Sequence, residues 1–586
     1  MNATRVFDLL YSQRDRFPQP DCLVAKVNGN WVPQSTQQVI DKANEVSLGL
    51  LKSGIKKEDK VAIVSLNRPE WVMVDYGIQQ LGAVSVPMYP TITEEDYRYI
   101  FNDAEVKLIF VSDRTLYNKV MAATAGIEGI QAVYTFDEVE GANHWSELTN
   151  KAAGEDPAQL EKHKEAVKSQ DLLTLIYTSG TTGNPKGVML THNNLISNVR
   201  SVTPYVPVNE HHRALSFLPL CHIYERMLSY LYMSVGVSIY FAEGMETIAD
   251  NLKEVKPHVF TTVPRLLEKV YDKIVAKGME LTGVKRGLFF WALELGLSHD
   301  IRGNNSWWHN FQLNLANKII FNKWREALGG NVIAVVSGGA ALQPRLARVF
   351  WAANIRVMEG YGLTETSPVI AVNRHDPKDN MIGTVGPLVD DIEVKFGPDG
   401  EILTRSASVM KGYYKRPDLT AEAIDPDGWF HTGDIGEWVD NRYLKITDRK
   451  KEMFKTSGGK YIAPQAVENK LKESVLIEQA MVVGDGQKFP AALIVPNFLA
   501  LQDWCAHKEI PYTTDAEMLD NKDVQEKYKR EIAKTNKSFA QYEQIKKFEL
   551  LPNAWTIESG ELTPTLKLKR KVLNERYRNL IEGMYK

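Results

Sequence analysis

The chain is poor in cysteine. Cys22, Cys221 and Cys505 are its only three in 586 residues, and they lie far apart without a CxxC pair. That excludes a disulfide framework and a cysteine-rich zinc site, and it suits a reducing compartment. A surplus of either charge is also missing. The 70 Lys and Arg against 73 Asp and Glu leave a formal charge of −3, which gives no footing for nucleic acid. No long hydrophobic run is present either: the most apolar stretch, 230–242, is interrupted by Ser234, Gly236 and Ser238 and is too short to span a bilayer. Met1-Asn2-Ala3-Thr4-Arg5 leads into mixed polar sequence rather than a signal peptide. No internal repeat or low-complexity segment stands out. The expectation is a cytoplasmic protein, and 44% hydrophobic residues suffice for the cores of more than one domain.

What is present centres on Tyr177-Thr178-Ser179-Gly180-Thr181-Thr182-Gly183-Asn184-Pro185-Lys186-Gly187. An apolar run of strand length, Leu172–Ile176, precedes it, and a helical pattern begins soon after it at Asn193. A buried strand, a small-residue loop and a helix start together make a cradle for a phosphate. Gly180 and Gly183 let the backbone approach, Thr178, Ser179, Thr181 and Thr182 supply hydroxyl donors, and Lys186 supplies a positive charge. The common P-loop places Lys directly after Gly and follows it with Ser or Thr, whereas Pro185 and Gly187 flank Lys186 here. A flexible surface loop is the plainer alternative, but so many hydroxyls, glycines and a lysine straight after a buried-type strand favour phosphate.

Around this loop the chain alternates. Helical spacing over 36–53 (Val39, Ile40, Ala43, Val46, Leu50) leads to strand 60–66, helix 69–81, strand 83–87, helix 94–102 and strand 107–111. Helix 245–255, strand 259–262, helix 264–277, strand 332–336, helix 344–353 and strand 355–358 keep the rhythm. Such alternation predicts an α/β fold with doubly wound parallel sheets. Residues 278–330 read as a helical insertion rich in aromatics, among them Phe289, Phe290, Trp291, Trp307, Trp308, Phe311, Phe321 and Trp324. They suit an ordinary core, the wall of an apolar substrate site, or a membrane-facing patch. From 383 to 447 short strands with turns such as Gly397-Pro398-Asp399-Gly400 predict a β subdomain. The charged run Arg449-Lys450-Lys451 then opens a smaller α+β unit. The expected division is a large domain over 1–448, a hinge near 448–452 and a small mobile domain over 449–586.

Four further constellations carry chemistry. Glu359-Gly360-Tyr361-Gly362-Leu363-Thr364-Glu365 follows a strand where α/β sheets expose ligand sites, and it offers a ring for a base, a hydroxyl for phosphate and a carboxylate for Mg²⁺. His431-Thr432-Gly433-Asp434 offers a carboxylate for ribose hydroxyls, or a turn residue. In Leu218-Pro219-Leu220-Cys221-His222-Ile223-Tyr224-Glu225 the histidine has no second metal ligand at suitable spacing, which leaves a hydrogen-bonded structural role or one beside a reactive carboxyl. Gly458-Gly459-Lys460 reads as a glycine hinge or a second phosphate contact.

In their order and spacing the TSGTTGNPKG, YGLTE, HTGD and DRKKE stretches resemble the adenylate-forming superfamily: acyl-CoA synthetases, luciferases and the adenylation domains of peptide synthetases. The LPLCHIYER segment, the aromatic insertion around Phe289-Phe290-Trp291-Ala292 and Leu562-Thr563-Pro564-Thr565-Leu566-Lys567 look most like long-chain fatty acid–CoA ligases. The resemblance implies a two-step reaction, in which ATP and a fatty acid give acyl-AMP and pyrophosphate, and CoA then displaces AMP. Carried over by position, Thr178, Ser179, Gly180, Thr181, Thr182, Gly183 and Lys186 would hold the ATP phosphates. Gly339 and Ala340 would border adenine, Tyr361 and Gly362 would pack on it, and Thr364 would touch the α-phosphate. Glu365 with Thr182 would bind Mg²⁺, Asp434 and Arg449 would grip the ribose, and Lys451 would mark the pivot. His222 would lie near the acyl carboxylate, Gly458 and Gly459 would serve CoA, and Lys567 would be the catalytic lysine of the first step. Many members place glycine before that lysine where Leu566 stands here, which leaves Lys569 as the alternative. A fatty acyl-AMP ligase feeding a carrier protein, a CoA ligase for another carboxylic acid, and a noncatalytic lipid- or nucleotide-binding module at a membrane are the other readings. Partners would be small molecules and no nucleic acid, with peripheral contact at the inner face of a membrane left open.

Overall fold

The computed structural model describes residues 3–178, 184–557, 559–563 and 567–586, the side chain of Pro157 excepted. Two eight-stranded sheets form the large N-terminal domain. In one, the parallel strands Leu23–Val27, Ser238–Phe241, Arg213–Ser216, Val259–Thr262, Ala334–Ser337 and Val357–Gly362 lie side by side, with antiparallel Asn30–Gln34 and Val369–Val372 at the edges. In the other, parallel Asn143–His144, Ala132–Thr135, Val106–Val111, Lys60–Val64, Val84–Met88 and Leu172–Thr178 are closed by antiparallel Lys186–Thr191 and Gly412–Tyr413. Their apolar strands are buried on both faces, as parallel sheets demand.

Helices Pro69–Gln80, His192–Val202 and Ile223–Val235 are almost wholly buried and join the main core. Helix Ile223–Val235 carries the buried Arg226 into that core. Arg226 Nη2 lies 2.5 Å from Asp75 Oδ1 and also donates to Ser85, while Nε donates to Tyr230 and Nη1 to Thr174. Such a pair is tolerated in low dielectric because each of the three guanidinium nitrogens has a hydrogen-bond partner.

The antiparallel sheet Glu393–Phe396, Glu401–Arg405, Phe430–Val439 and Tyr443–Arg449 forms the expected β subdomain. After it the separate C-terminal domain is built on Ile477–Val483, Ala491–Pro496 and Lys547–Leu550, covered by Pro464–Leu471, Phe498–His507 and Lys522–Asn536.

The helix expected from Asn193 begins at His192, and between it and the phosphate loop runs a strand, Lys186–Thr191, antiparallel to Leu172–Thr178 with Thr178 opposite Lys186. Val188 and Leu190 on that strand face the interior. The aromatic insertion is helical, at Gly283–Ser298, Trp307–Ala316 and Asn322–Ala327, but it divides in role. Phe289, Phe321 and Trp324 are core, whereas Trp307, Trp308 and Phe311 face solvent.

Candidate active site

A cleft of about 2660 Å³ opens where both large sheets end their parallel strands, and the C-terminal domain supplies its far wall. That exceeds the 300–1,000 Å³ typical of a single small-ligand pocket, so several ligands can share it. Thr178 and Lys186 reach it from the two paired strands behind the phosphate loop. The Lys186 ammonium sits 3.8 Å above the ring of Tyr413, whose hydroxyl donates to Glu365 Oε1 at 2.8 Å. Loss of hydration lowers the Lys186 pKa, and Glu365 partly offsets that. One tyrosine thus holds a cation over its ring face and a carboxylate at its hydroxyl.

The second cluster is organised by Asp434. Its Oδ2 accepts the Tyr361 hydroxyl at 2.7 Å, and Oδ1 lies 3.5 Å from Arg449 Nε across the paired strands that carry them. Burial raises the Asp434 pKa and Arg449 pulls it back. Tyr361 is therefore pinned at its hydroxyl with its ring along the cleft. Gly362 is required where it stands: a Cβ there would come 1.9 Å from the Pro368 carbonyl oxygen. Gly339, at φ +80°, turns the loop after Ala334–Ser337 so that it and Ala340 line the same wall.

His222 caps helix Ile223–Val235, its Nδ1 accepting the Tyr224 backbone N–H at 3.2 Å. With Nδ1 an acceptor, Nε2 carries the ring proton. Burial pushes the ring down to about 4, so it works neutral, as a hydrogen-bond donor into the cleft. Lys567 enters from the C-terminal domain. Burial first, then Arg449, push its ammonium down to about 8, against the opposing pull of Asp434, Glu452 and Glu365. Three residues on, Arg570 grips both oxygens of Glu468 at 2.7 Å and Glu452 at 3.1 Å, which fixes the segment carrying Lys567 to the turn just past Arg449.

The AMP-binding enzyme family matches residues 10–414, and the AMP-binding enzyme C-terminal domain matches 452–586. This chain belongs to the AMP-binding enzyme family. A long-chain-fatty-acid–CoA ligase, FadD15 of Mycobacterium tuberculosis, is 34% identical to this AMP-binding enzyme over 574 residues, covering 97% of the chain and 95% of the relative. Long-chain-fatty-acid–CoA ligase 1 of Homo sapiens is also 34% identical, covering 94% and 82%. Among solved structures, the anthranilate CoA ligase AuaEII in complex with anthranoyl-AMP superposes with a TM-score of 0.72 at 18% identity, covering 98% and 97%. A Mycobacterium tuberculosis fatty acyl CoA synthetase gives 0.64 at 22%, covering 98% of both chains. At such identities these two speak for the fold alone.

In this AMP-binding enzyme the cleft brings together Thr178, Lys186, His222, Gly339, Ala340, Tyr361, Gly362, Thr364, Glu365, Asp434, Arg449, Lys451 and Lys567. Ser179, Gly180, Thr181, Thr182 and Gly183 lie outside the described residues, and with them the Thr182 part of the expected Mg²⁺ site. Gly458 and Gly459 sit at the tip of the hairpin Phe454–Lys455 and Tyr461–Ile462, away from the cleft lining. Lys569 also borders the cleft but is exposed. Sequence reasoning missed Tyr413, which no local motif marks because the sheet edge, not the chain, brings it to Lys186. It also missed Tyr89, whose ring lies 6.4 Å from His222, although its place just after strand Val84–Met88 was a usable signal. Glu359 heads a recognised motif, yet its burial, which raises its carboxyl to about 8, is visible only in the fold.

Proposed function

We propose that this chain is an AMP-forming ligase that converts a long-chain fatty acid to its CoA thioester. A fatty carboxylate oxygen attacks the α-phosphorus of ATP, the bond to the β-phosphate breaks, and acyl-AMP and pyrophosphate result. The CoA thiol then attacks the acyl carbon, losing its proton, and AMP leaves with the electron pair of the broken C–O bond. The fatty acid and CoA rest on what the full-length relatives are named for. The first step rests on one observation: a C-terminal-domain lysine is brought to the Tyr361–Asp434–Arg449 cluster, on the cleft that Thr178, Lys186 and Glu365 also line.

Attack by a weak nucleophile on a phosphorus ringed with anionic oxygens depends on alignment and on cations placed where charge builds. Lys186 would meet the outer phosphates, Tyr361 would stack on adenine, and Asp434 and Arg449 would hold the ribose. The neutral His222 would donate Nε2–H to the acyl carboxylate, and Lys567 would neutralise charge at the reacting phosphate. Among the described residues no three His, Cys, Asp or Glu are grouped for a metal. A lone carboxylate, Glu365, fits Mg²⁺, whose remaining ligands are commonly phosphate oxygens and water. Bound there, Mg²⁺ would supply charge neutralisation between phosphates.

The boundaries 1–448 and 449–586, with a pivot near 448–452, belong to this reading, as does a reducing, cytoplasmic setting for the three free, buried cysteines. No helix of the described residues is long and apolar enough to cross a membrane, and peripheral contact with one is part of the proposal.

The test is Lys567→Ala. Palmitate-dependent ATP–pyrophosphate exchange is expected to fall by about 10²–10³-fold, the scale of one lost electrostatic stabiliser. Thioester formation from supplied acyl-AMP should survive. Exchange equal to the unsubstituted enzyme would remove the assignment, and a preference for aromatic over fatty acids would remove the substrate.

A further inference from the structure

The geometry points to the helical rod 307–327 as the surface on which this enzyme rests against an anionic lipid bilayer. The inference builds on the peripheral contact proposed above and not on the reaction itself. Trp307–Ala316, the π-helical turn Asn317–Phe321 and Asn322–Ala327 run on without a break. One side of this rod is core, where Leu313, Ala316, Phe321 and Trp324 are buried. The other side should be polar on a solvated helix, yet an apolar stripe runs along it beside exposed Asn310, Asn314 and Lys318. Trp307, Trp308 and Phe311 are 76%, 52% and 56% exposed, and Leu315 and Ile319 continue the stripe at four-residue steps. The wide turn at Asn317–Phe321 acts on the last of those steps, turning Ile319 back toward the face of Leu315.

The aromatic cluster is ordered without a partner. Trp308 stacks on Phe311 at 5.5 Å and 16°, and Trp307 meets Trp308 edge-on at 5.5 Å. Charge then separates a lipid surface from a protein one. From Ile301 to Arg325 there is no Asp or Glu, while Lys318 and Lys323 are exposed on the rod. Arg302 and Arg325 are engaged elsewhere, with Tyr443 and with Asn317 and the Ala353 carbonyl. Trp at the level of the headgroups with lysines able to reach anionic phosphates is the pattern of a helix lying in the interface plane. An apolar stripe of this kind on an otherwise polar surface marks an interaction site.

The experiment is sedimentation of the full chain with vesicles of equal phosphatidylglycerol and phosphatidylethanolamine, alongside pure phosphatidylcholine, with intrinsic fluorescence as a second readout. Binding to the anionic vesicles, weakened by salt, and a blue shift of tryptophan emission are expected. The triple variant W307A/W308A/F311A should lose about a hundredfold in partitioning. The variant K318E/K323E should lose affinity for anionic vesicles only. Exchange activity with a short, soluble fatty acid should stay unchanged in both variants, which shows that they fold. The proposal is overturned if the native chain fails to bind anionic vesicles at low salt, or if the triple variant binds as well as the native chain. It is equally overturned if the patch instead drives a self-association that sedimentation velocity detects and the triple variant abolishes. Failure of fatty acids as substrates, with binding intact, would strike the reaction assignment alone.

Discussion

At the scale of single residues the site works by stripping water from a few charges. Lys567 is the clearest case, since burial and the nearby Arg449 hold its ammonium near 8 rather than the usual lysine range. It is charged below that value and neutral above it, so adenylation should decline as pH rises through about 8. The pH profile of kcat/KM for pyrophosphate exchange measures this, and Lys567→Arg should move the alkaline limb upward because guanidinium stays charged. A limb unmoved by that change would mean that another group titrates. Tyr413 makes a second test. Tyr413→Phe keeps the ring beneath Lys186 but removes the hydroxyl that orients Glu365. The Mg²⁺ concentration giving half-maximal exchange should rise by about tenfold, as for a lost partner of a metal-binding carboxylate.

At the scale of elements, helix Ile223–Val235 ties the site to the core, because the residue that caps it faces the cleft while Arg226, one turn in, is sealed against Asp75. Arg226→Leu leaves that carboxylate buried without a counter-charge. A loss of about 3–5 kcal/mol in urea unfolding is expected, largely recovered when Asp75→Leu is added. Most elements could be read from the chain because strand and helix periods differ so clearly in segments such as 60–64 and 69–80. The strand 186–191 could not be read from the chain because its fate is decided by pairing with 172–178 and with Gly412–Tyr413, the latter more than two hundred residues on. The site divided along the same line. Tyr361, Glu365 and Asp434 sit in short motifs and were legible, whereas Tyr413, Tyr89 and the Glu452–Arg570 pair depend on tertiary approach. The exposure of Trp307 and the burial of Trp324 likewise follow from which side of one rod meets the core.

At the scale of the whole molecule, polar ties between the C-terminal domain and the large one lie both beside the boundary, where Gln465 N–H donates to Asp448 at 3.2 Å, and away from it. Arg265 on helix Pro264–Met279 bonds Glu478, and Arg345 donates to the Lys472 carbonyl at 3.3 Å. Partly solvated pairs contribute little, about 0.2–1 kcal/mol each, so domain opening should be easy. Arg265→Ala is expected to raise tryptic cutting at Lys450 and Lys451 by about two- to fivefold, followed by electrophoresis, with ATP and an acid substrate restoring protection. An unchanged rate would show that this contact does not govern opening. The double grip of Arg570 bears on what such opening would do. Because it clasps Glu452 and Glu468 together, Lys567 cannot stay behind when its carrier swings away. The acyl adenylate would then face the incoming thiol in a chamber relieved of the ammonium that eased its formation. Pyrophosphate arriving late would find no help in remaking ATP, and the enzyme would gain a ratchet from one guanidinium.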